Sequence, residues 1–227
     1  MKKLLLPALM LSSVFGFSQD KLVKLSLGLR VCNPLENEFA PKVSSNEKHM
    51  VFMQEDTRKG LTYMRYSKYA GKKWNTPTDI EILNKNPKLL YKGGYCLDVE
   101  GKTMYFTSAK YGGVGAYDIW MIERNGTSWG APINLGKPIN SAGYDVHPSL
   151  SADGTNLYFA RHTEKVSNAS VSGGKIYVAD RKGGDWHEPV ALPSPINTGH
   201  ETNPTILADG VTLISVSYTH LTLPTIA

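Results

Sequence analysis

One short segment of the chain recurs at regular distances, and this repetition constrains the fold more than any other feature. Residues 148–159 read PSLSADGTNLYF, and residues 41–52, which lie 107 positions earlier, begin with the same proline and end with the same phenylalanine. The proline and the Asp-Gly pair return 56 positions later as Pro204, Asp209 and Gly210, and a weaker copy at 95–106 lacks the proline. Self-similarity of this kind is the signature of a repeat architecture.

A second marker recurs in step with the first. A tryptophan is followed three positions later by a proline at Trp74, Trp129 and Trp186, which are 55 and 57 positions apart. Two separate motifs with one period define a single structural unit of about 55 residues.

Each unit has the pattern of four short strands joined by turns. In the third unit, apolar and polar side chains alternate, as in half-buried strands, over residues 147–151, 157–161, 175–180 and 186–192. Asp153 and Gly154 predict the first turn, because glycine tolerates a positive φ. A polar loop at 167–174 follows the second strand, and the turn at 182–185 precedes the fourth. No helical periodicity is found after the first 18 residues.

Four-stranded antiparallel units that repeat along a chain predict a β-propeller. A sheet with two apolar faces must bury both against its neighbours. The chain is therefore predicted to be all-β, with blades at about 38–84, 85–141 and 142–198 and a partial blade at 199–214. Propellers typically close with four to eight blades, so three blades and the start of a fourth predict an incomplete propeller.

The first 18 residues have the composition of a signal peptide. Lys2 and Lys3 form a basic start, residues 4–17 are mostly apolar, and small residues precede the expected cleavage site before Gln19. Residues 19–37 then lead into the first blade. No cysteine lies at the cleavage site to carry a lipid, and no later stretch is apolar enough to predict a transmembrane segment. The mature chain is expected to be exported, and to be periplasmic or associated with the outer membrane.

Charge and cysteine content give little information about the partners of the protein or about the redox state of its thiols. The formal net charge is +5, of which the predicted signal peptide contributes two lysines, and basic and acidic residues are interspersed. Nucleic acid is therefore not an expected partner. The two cysteines are Cys32 and Cys96. Export permits a disulfide between them, and two separate buried thiols are the alternative.

The end of the chain departs from the repeat. After Leu213 the pattern requires an aromatic pair, but Ile214 and Ser215 follow. Residues 216–225 match the translation of an end sequence used in transposon-based sequencing adapters. Residues 215–227 are therefore expected to be an artefact of sequencing, and the native protein is expected to be longer.

Three of the recurring texts resemble the TolB-type, WD-like β-propeller repeat. They are residues 148–159, residues 112–120 (GGVGAYDIW) and residues 129–135 (WGAPINL), and the resemblance extends over about 38–214. They are most similar to the versions in exported proteins of Bacteroidetes-type bacteria. The second blade departs from the pattern, because Tyr95 replaces the proline and Glu100 replaces the aspartate.

The resemblance implies a non-catalytic binding platform in the bacterial cell envelope, with a protein as partner. TolB itself looks like a periplasmic adaptor between proteins. Some relatives carry an OmpA-like peptidoglycan-binding domain after the propeller, so association with peptidoglycan through a missing C-terminal domain is a further expectation. Fold alone does not determine function.

An acidic residue lies three positions before the blade proline in three units, and these residues are the candidate binding site: Glu38, Asp145 and Glu201. The second unit has Lys92 there. In a propeller the first strand of each blade lies nearest the axis, so these carboxylates are expected near one mouth of the channel. They could hold a cation, whose identity the sequence leaves open, or a basic segment of a partner. The alternative is that each accepts N–H bonds in the turn that enters its strand.

No catalytic motif and no cofactor motif stands out, so no catalytic residue and no cofactor is predicted. The competing hypothesis is the propeller domain of an exported hydrolase, either a glycosidase or lyase, or a serine peptidase with its catalytic domain downstream. The recurring aromatic residues have two interpretations, sugar stacking or packing between blades. Their regular spacing favours packing.

Overall fold

The structure is a computed structural model, and it describes residues 37–85, 90–109, 112–163 and 173–217, with the side chains of 90–93 left aside. Several predicted features fall outside these ranges. They are the signal peptide, nearly all of the lead-in at 19–37, Cys32, most of the loop at 167–174, and residues 218–227 of the predicted artefact.

The described strands form four antiparallel sheets that follow one another along the chain, and we call them blades 1 to 4. Blade 1 contains β1 (Asn37–Val43), β2 (His49–Asp56), β3 (Leu61–Lys68) and β4 (Thr78–Asp79). Blade 2 contains β5 (Leu90–Leu97), β6 (Thr103–Ser108), β7 (Asp118–Asn125), β8 (Ser128–Trp129) and β9 (Ile133–Asn134). Blade 3 contains β10 (Tyr144–Leu150), β11 (Asn156–His162), β12 (Gly174–Lys182), β13 (Asp185–Trp186) and β14 (Val190–Ala191). Blade 4 contains β15 (Glu201–Ile206) and β16 (Leu213–Ser217).

The outermost strand of the second and third blades differs from the prediction, because it is split in two. In blade 2, β8 and β9 both pair with β7, and in blade 3, β13 and β14 both pair with β12. Pro132 and Pro189 lie between the two pieces, and proline has no N–H to donate to a ladder. The Trp-x-x-Pro motif therefore marks an interrupted edge strand.

One helical turn also departs from the all-strand prediction. Residues Glu81–Asn84 form α1, a helix of four residues between β4 and β5. A single turn is too short to give a helical periodicity in the sequence.

The first strand of a blade carries a β-bulge at the residue before the repeat proline. Ala40, His147 and Asn203 have φ values of 51°, 56° and 51°, and the pairing register shifts at each of these positions. An extra residue in one strand defines a β-bulge, and a first residue in the left-handed region is the conformation of the G1 type, which usually has glycine there. The proline that follows has no N–H, so the interruption of the ladder costs no hydrogen bond there.

The hydrophobic core consists of clusters that lie between neighbouring blades. Blade 1 contributes Val51, Met64 and Ile80 to a cluster that blade 2 completes with Met104 and Ile122. The next cluster joins blades 2 and 3 through Tyr105, Ile119, Ile139, Leu157, Phe159 and Ala179. A third joins Val146, Ala160 and Ile176 of blade 3 to the partly buried Leu213 of blade 4. Blades 2 and 3 are thus buried on both faces, as the repeat predicted.

First strands of neighbouring blades contact one another, β1 with β5, β5 with β10, and β10 with β15. We therefore call these four the inner strands. Among the residues that the structure describes, no helix has the length and the hydropathy that a membrane crossing requires.

Candidate functional site

The three predicted carboxylates lie at or next to the start of inner strands, and each has partners in its own blade. The Asp145 side chain is fully buried. It accepts hydrogen bonds from the backbone N and Oγ of Ser141 at 2.7 and 2.8 Å, and from Nε of Arg161 at 2.6 Å. Arg161 also donates to the carbonyl of Ile139 at 2.7 Å. Asp145 therefore joins the entry turn of blade 3 to its second strand.

Glu201 repeats this arrangement in blade 4. Its carboxylate accepts bonds from the hydroxyl of Thr198 and from the backbone N of Gly199, the latter at 2.9 Å. Burial acts to raise the pKa of Glu201, but these hydrogen bonds outweigh it and hold the pKa below its ordinary value. The carboxylate is therefore ionised at neutral pH and held by the turn.

Glu38 is half-buried, and its Oε1 accepts a hydrogen bond from Nε2 of Gln54 at 2.9 Å. Gln54 occupies the place that Arg161 has in blade 3, directly across the first strand pair. Within the described residues, no three His, Cys, Asp or Glu side chains are grouped so that they could hold a metal ion. A binding role for Glu38, Asp145 and Glu201 stays a prediction. Asp145 and Glu201 make the contacts of the turn interpretation, whereas Glu38 contacts a side chain of the second strand.

Three asparagines that hold the blades together were not recognised in the sequence as functional. Asn84, Asn140 and Asn197 each use both ends of the side-chain amide to bond the backbone N and O of one residue in the third strand of their blade. The bonded residues are Met64, Ile119 and Ile176. These asparagines are 56 and 57 positions apart, and that spacing was the signal in the sequence. Their hydrogen bonds could be predicted only after the third strand of each blade had been placed.

A cavity opens at the end of the inner strands opposite to the predicted carboxylates. It has a volume of about 330 Å³ and is lined by residues of all four blades. Lys42 and Val43 come from blade 1, Leu97 from blade 2, Ser149 from blade 3 and Leu207 from blade 4. Val43 and Leu207 are 41% and 38% exposed, so the rim offers apolar surface to solvent. We call this the mouth cavity.

His147 connects three blades behind the mouth cavity. Its backbone N donates to Oγ1 of Thr107 in blade 2 at 3.1 Å, and its Nδ1 lies 3.1 Å from Oγ1 of Thr202 in blade 4. Burial, together with the charges of His162 and Lys42, lowers the pKa of His147 to about 3. Burial also lowers the pKa of His162, although the nearby Asp145 acts in the opposite direction. Both imidazoles are therefore neutral at neutral pH.

A second cavity, of about 590 Å³, lies at the outer edge between blades 1 and 2. Arg65 and Asp79 line it and form an ion pair at 2.5 Å. Glu81 and Lys85 add one further charge of each sign to this lining, so it carries no net charge.

The recurring tryptophans pack against other apolar side chains, which confirms the packing interpretation. Trp74 packs within blade 1, whereas Trp120, Trp129 and Trp186 pack against a neighbouring blade. Trp74 and Trp120 are 2% and 5% exposed. Trp129 of blade 2 meets Tyr66 of blade 1 edge to face at 5.6 Å, and Trp186 of blade 3 meets Tyr105 of blade 2 in the same way at 6.2 Å. Such aromatic pairs favour close packing of apolar surfaces.

Comparison with solved structures gives the fold. TolB from Acinetobacter baumannii superposes with a TM-score of 0.51 and 16% sequence identity, over 79% of this chain. The fold is a β-propeller. Over the residues that the structure describes the propeller is incomplete, as predicted, with three blades and two strands of a fourth. The chain spans 37% of the length of that TolB.

Two peptidase propellers are more distant. The β-propeller domain of the Trilobed protease from Pyrococcus furiosus has a TM-score of 0.43 and 12% identity, covering 81% of this chain and 64% of that one. A prolyl endopeptidase has a TM-score of 0.47 and 12% identity, covering 83% and 27%. Both TM-scores are below 0.5, so the fold assignment rests on the first superposition. No protein-family model matches the chain. No curated protein matches it either.

Proposed function

We propose that this protein is an exported, non-catalytic β-propeller that binds a protein partner in the bacterial cell envelope. The observation that carries the proposal is the mouth cavity, because residues from four blades line one concave surface with an apolar rim. Loops held by a rigid scaffold are common binding surfaces, and concave apolar surfaces with a few polar groups are typical ligand sites.

The placement in the envelope rests on the sequence. The first 18 residues have the three parts of a signal peptide, and the repeat texts resemble those of exported propellers. A peptidoglycan-binding domain downstream of the propeller would anchor the protein at the outer membrane. Both points are part of the proposal.

The absence of catalysis is supported by the state of the ionisable groups. Asp145 and Glu201 are held by hydrogen bonds from their own entry turns. His147 contacts blades 2 and 4. Groups that are buried and already bonded within the fold stabilise it, whereas a general acid or base must reach a substrate.

The competing proposal is that the propeller belongs to an exported hydrolase, a glycosidase or lyase, or a serine peptidase whose catalytic domain follows it. Reading the native gene past the codon for Ile214 distinguishes the two. Further blades followed by a stop codon or an OmpA-like domain agree with a binding protein. A downstream hydrolase domain with a Gly-x-Ser-x-Gly motif makes the propeller an accessory domain of a peptidase.

Site-specific photo-crosslinking in the native envelope tests the binding proposal directly. A photoreactive residue at Val43 or Leu207, on the rim of the mouth cavity, is expected to give a crosslink to a discrete envelope protein. The same residue at Ile133, which is 49% exposed on β9, is the matched control and is expected to give none. Equal crosslinking at the rim and at Ile133 contradicts a partner site at the mouth.

The predicted carboxylate site has its own test in the full-length protein. Replacing Asp145 and Glu201 together by alanine would abolish cation or partner binding if these groups form a binding ring. If binding by the folded variant is unchanged, the carboxylates have only the turn role.

A further inference from the structure

The mouth cavity is lined by one basic and one acidic side chain, which do not form an ion pair with each other. Lys42 lines it and is half-buried. No carboxylate forms an ion pair with Lys42 within the part of the chain that the structure describes, where the ion pairs involve other residues. The other charged residue of the lining is Glu47, which is exposed in the turn after β1. The ammonium of Lys42 can therefore pair with an anionic group of a ligand.

The charge of Lys42 acts on both His147 and Cys96, and Cys96 lines the same cavity. Asp98 also acts on Cys96, but it forms no ion pair with Lys42. Burial raises the pKa of the Cys96 thiol to about 12, and burial lowers the pKa of His147 to about 3. Both side chains are therefore neutral at neutral pH, so neither of them neutralises the ammonium of Lys42.

A buried hydroxyl in the same cavity has a proton to donate. Ser149 is 7% exposed and lines the cavity. Its Oγ accepts a hydrogen bond from the backbone N of Ile206 at 3.1 Å. The hydroxyl is an acceptor in this bond, so its own proton is available to an acceptor in the cavity. The cavity thus combines a cation and a donor, with apolar side chains of Val43 and Leu207 at the rim.

We propose that the mouth cavity binds a carboxylate between the ammonium of Lys42 and the hydroxyl of Ser149, with the apolar rim contacting the rest of the ligand. The inference rests on the proposed function, and it specifies the chemistry of the partner. The carboxylate belongs either to an acidic side chain or terminus of a protein segment, or to a small dicarboxylic acid. A charge-assisted pair with a further donor is the arrangement that gives such a site strength.

Binding is measured by isothermal titration calorimetry of the whole chain with three probes. They are the peptide acetyl-Leu-Glu-Leu-Glu-amide, its counterpart with glutamine in place of glutamate, and glutarate. The glutamate peptide is expected to bind, and the glutamine peptide to bind at least about tenfold more weakly, since the glutamine amide carries no charge to pair with Lys42. Glutarate binding without peptide binding would assign the site to a small acid.

The variants distinguish binding at Lys42 from attraction of the peptide by the net charge of the protein. Lys42→Met is expected to lower the affinity for the glutamate peptide at least about tenfold, whereas Lys42→Arg retains binding and shows that the strand tolerates substitution. Lys48→Met is the matched control, since Lys48 is exposed just beyond the same turn and its loss changes the net charge equally. Ser149→Ala is expected to weaken binding as well.

Three results would overturn the carboxylate site, and they differ from the result that would overturn the proposed binding of a protein. One is that none of the probes binds the wild-type chain, and another is that Lys48→Met weakens binding as much as Lys42→Met. If the glutamine and glutamate peptides bind equally, the mouth binds a protein segment but not through a carboxylate. If only glutarate binds and Lys42→Met abolishes it, the carboxylate site stands and the protein-binding proposal fails.

Discussion

At the scale of single residues, the blades are held together by buried polar side chains that bond to groups of their own blade or of a neighbouring one. Arg161 shows how far this goes, because its guanidinium bonds Asp145 and the carbonyl of Ile139 and also lies 4.7 Å from the centre of the Tyr177 ring. A cation held on three sides cannot turn out to solvent when one partner is removed. Its environment therefore determines the cost of a substitution.

The variant Asp145→Asn tests this point. It leaves the Arg161 charge buried without compensation, so the free energy of unfolding is expected to fall by about 3 kcal/mol or more. The control is Asp79→Asn, which breaks the more exposed pair with Arg65 and is expected to cost at most about 1 kcal/mol. Urea denaturation of both variants measures the difference, and equal losses would contradict the argument.

His147 makes the stability depend on pH. The ordinary pKa of histidine is 6.5, and in the folded chain the pKa of His147 is about 3. The unfolded chain therefore binds the proton more tightly, and the stability contributed by neutral His147 is lost as the pH falls below 6.5. The free energy of unfolding is expected to fall by up to about 1.4 kcal/mol per pH unit from this group.

The matched variant is His147→Asn, because Asn203 occupies the same bulge position in blade 4 and asparagine tolerates positive φ. Denaturant unfolding between pH 7 and pH 5 is expected to give a shallower slope for the variant. The slope should not vanish, since burial also lowers the pKa of His162. A variant whose slope equals that of the wild type would rule out His147 as the source.

At the scale of elements, the turn between the first two strands shows one blade departing from the others. Gly101, Gly154 and Gly210 hold φ values of 59°, 74° and 69° in blades 2, 3 and 4. Blade 1 places Glu47 there, with φ at 60°. A side chain in the left-handed region costs about 1–2 kcal/mol, so blade 1 carries strain that the other blades avoid.

Glu47→Gly is therefore expected to raise the free energy of unfolding by about 0.5–1 kcal/mol, after the larger backbone entropy of glycine in the unfolded chain is included. Glu188→Gly is a suitable comparison, because Glu188 is exposed in a loop and its φ is not positive. That variant is expected to lose stability. Thermal unfolding of the two variants decides, and a loss for Glu47→Gly would show that its side chain has another role.

The elements also show what the sequence could predict. The repeat with its Asp-Gly turns predicted the blades, because a period of about 55 residues and alternating side chains depend only on the chain itself. The helical turn at Glu81–Asn84 and the split edge strands were missed, since each is too short to give a periodic pattern in the sequence. The charge of Lys42 was passed over because its significance depends on neighbours from other blades.

At the scale of the whole molecule, stability belongs to the contacts between blades. Leu157 is fully buried in the cluster that blades 2 and 3 share. Leu157→Ala is expected to cost about 2–5 kcal/mol and to lower hydrogen-exchange protection in β6 and β7 as well as in β11 and β12. Val211→Ala is the control, since Val211 is 85% exposed. Loss of protection confined to blade 3 would contradict shared stability.

The shared clusters have a consequence for how such a chain can grow or shrink. Removing one blade removes its two apolar interfaces with the neighbouring blades. Those two neighbours must then pack against each other. Those new neighbours fit only if equivalent positions carry similar side chains, as Leu83 and Ile139 do. Gain or loss of whole repeats therefore favours blades whose packing faces are equivalent. The regular spacing from which the fold was predicted agrees with this requirement.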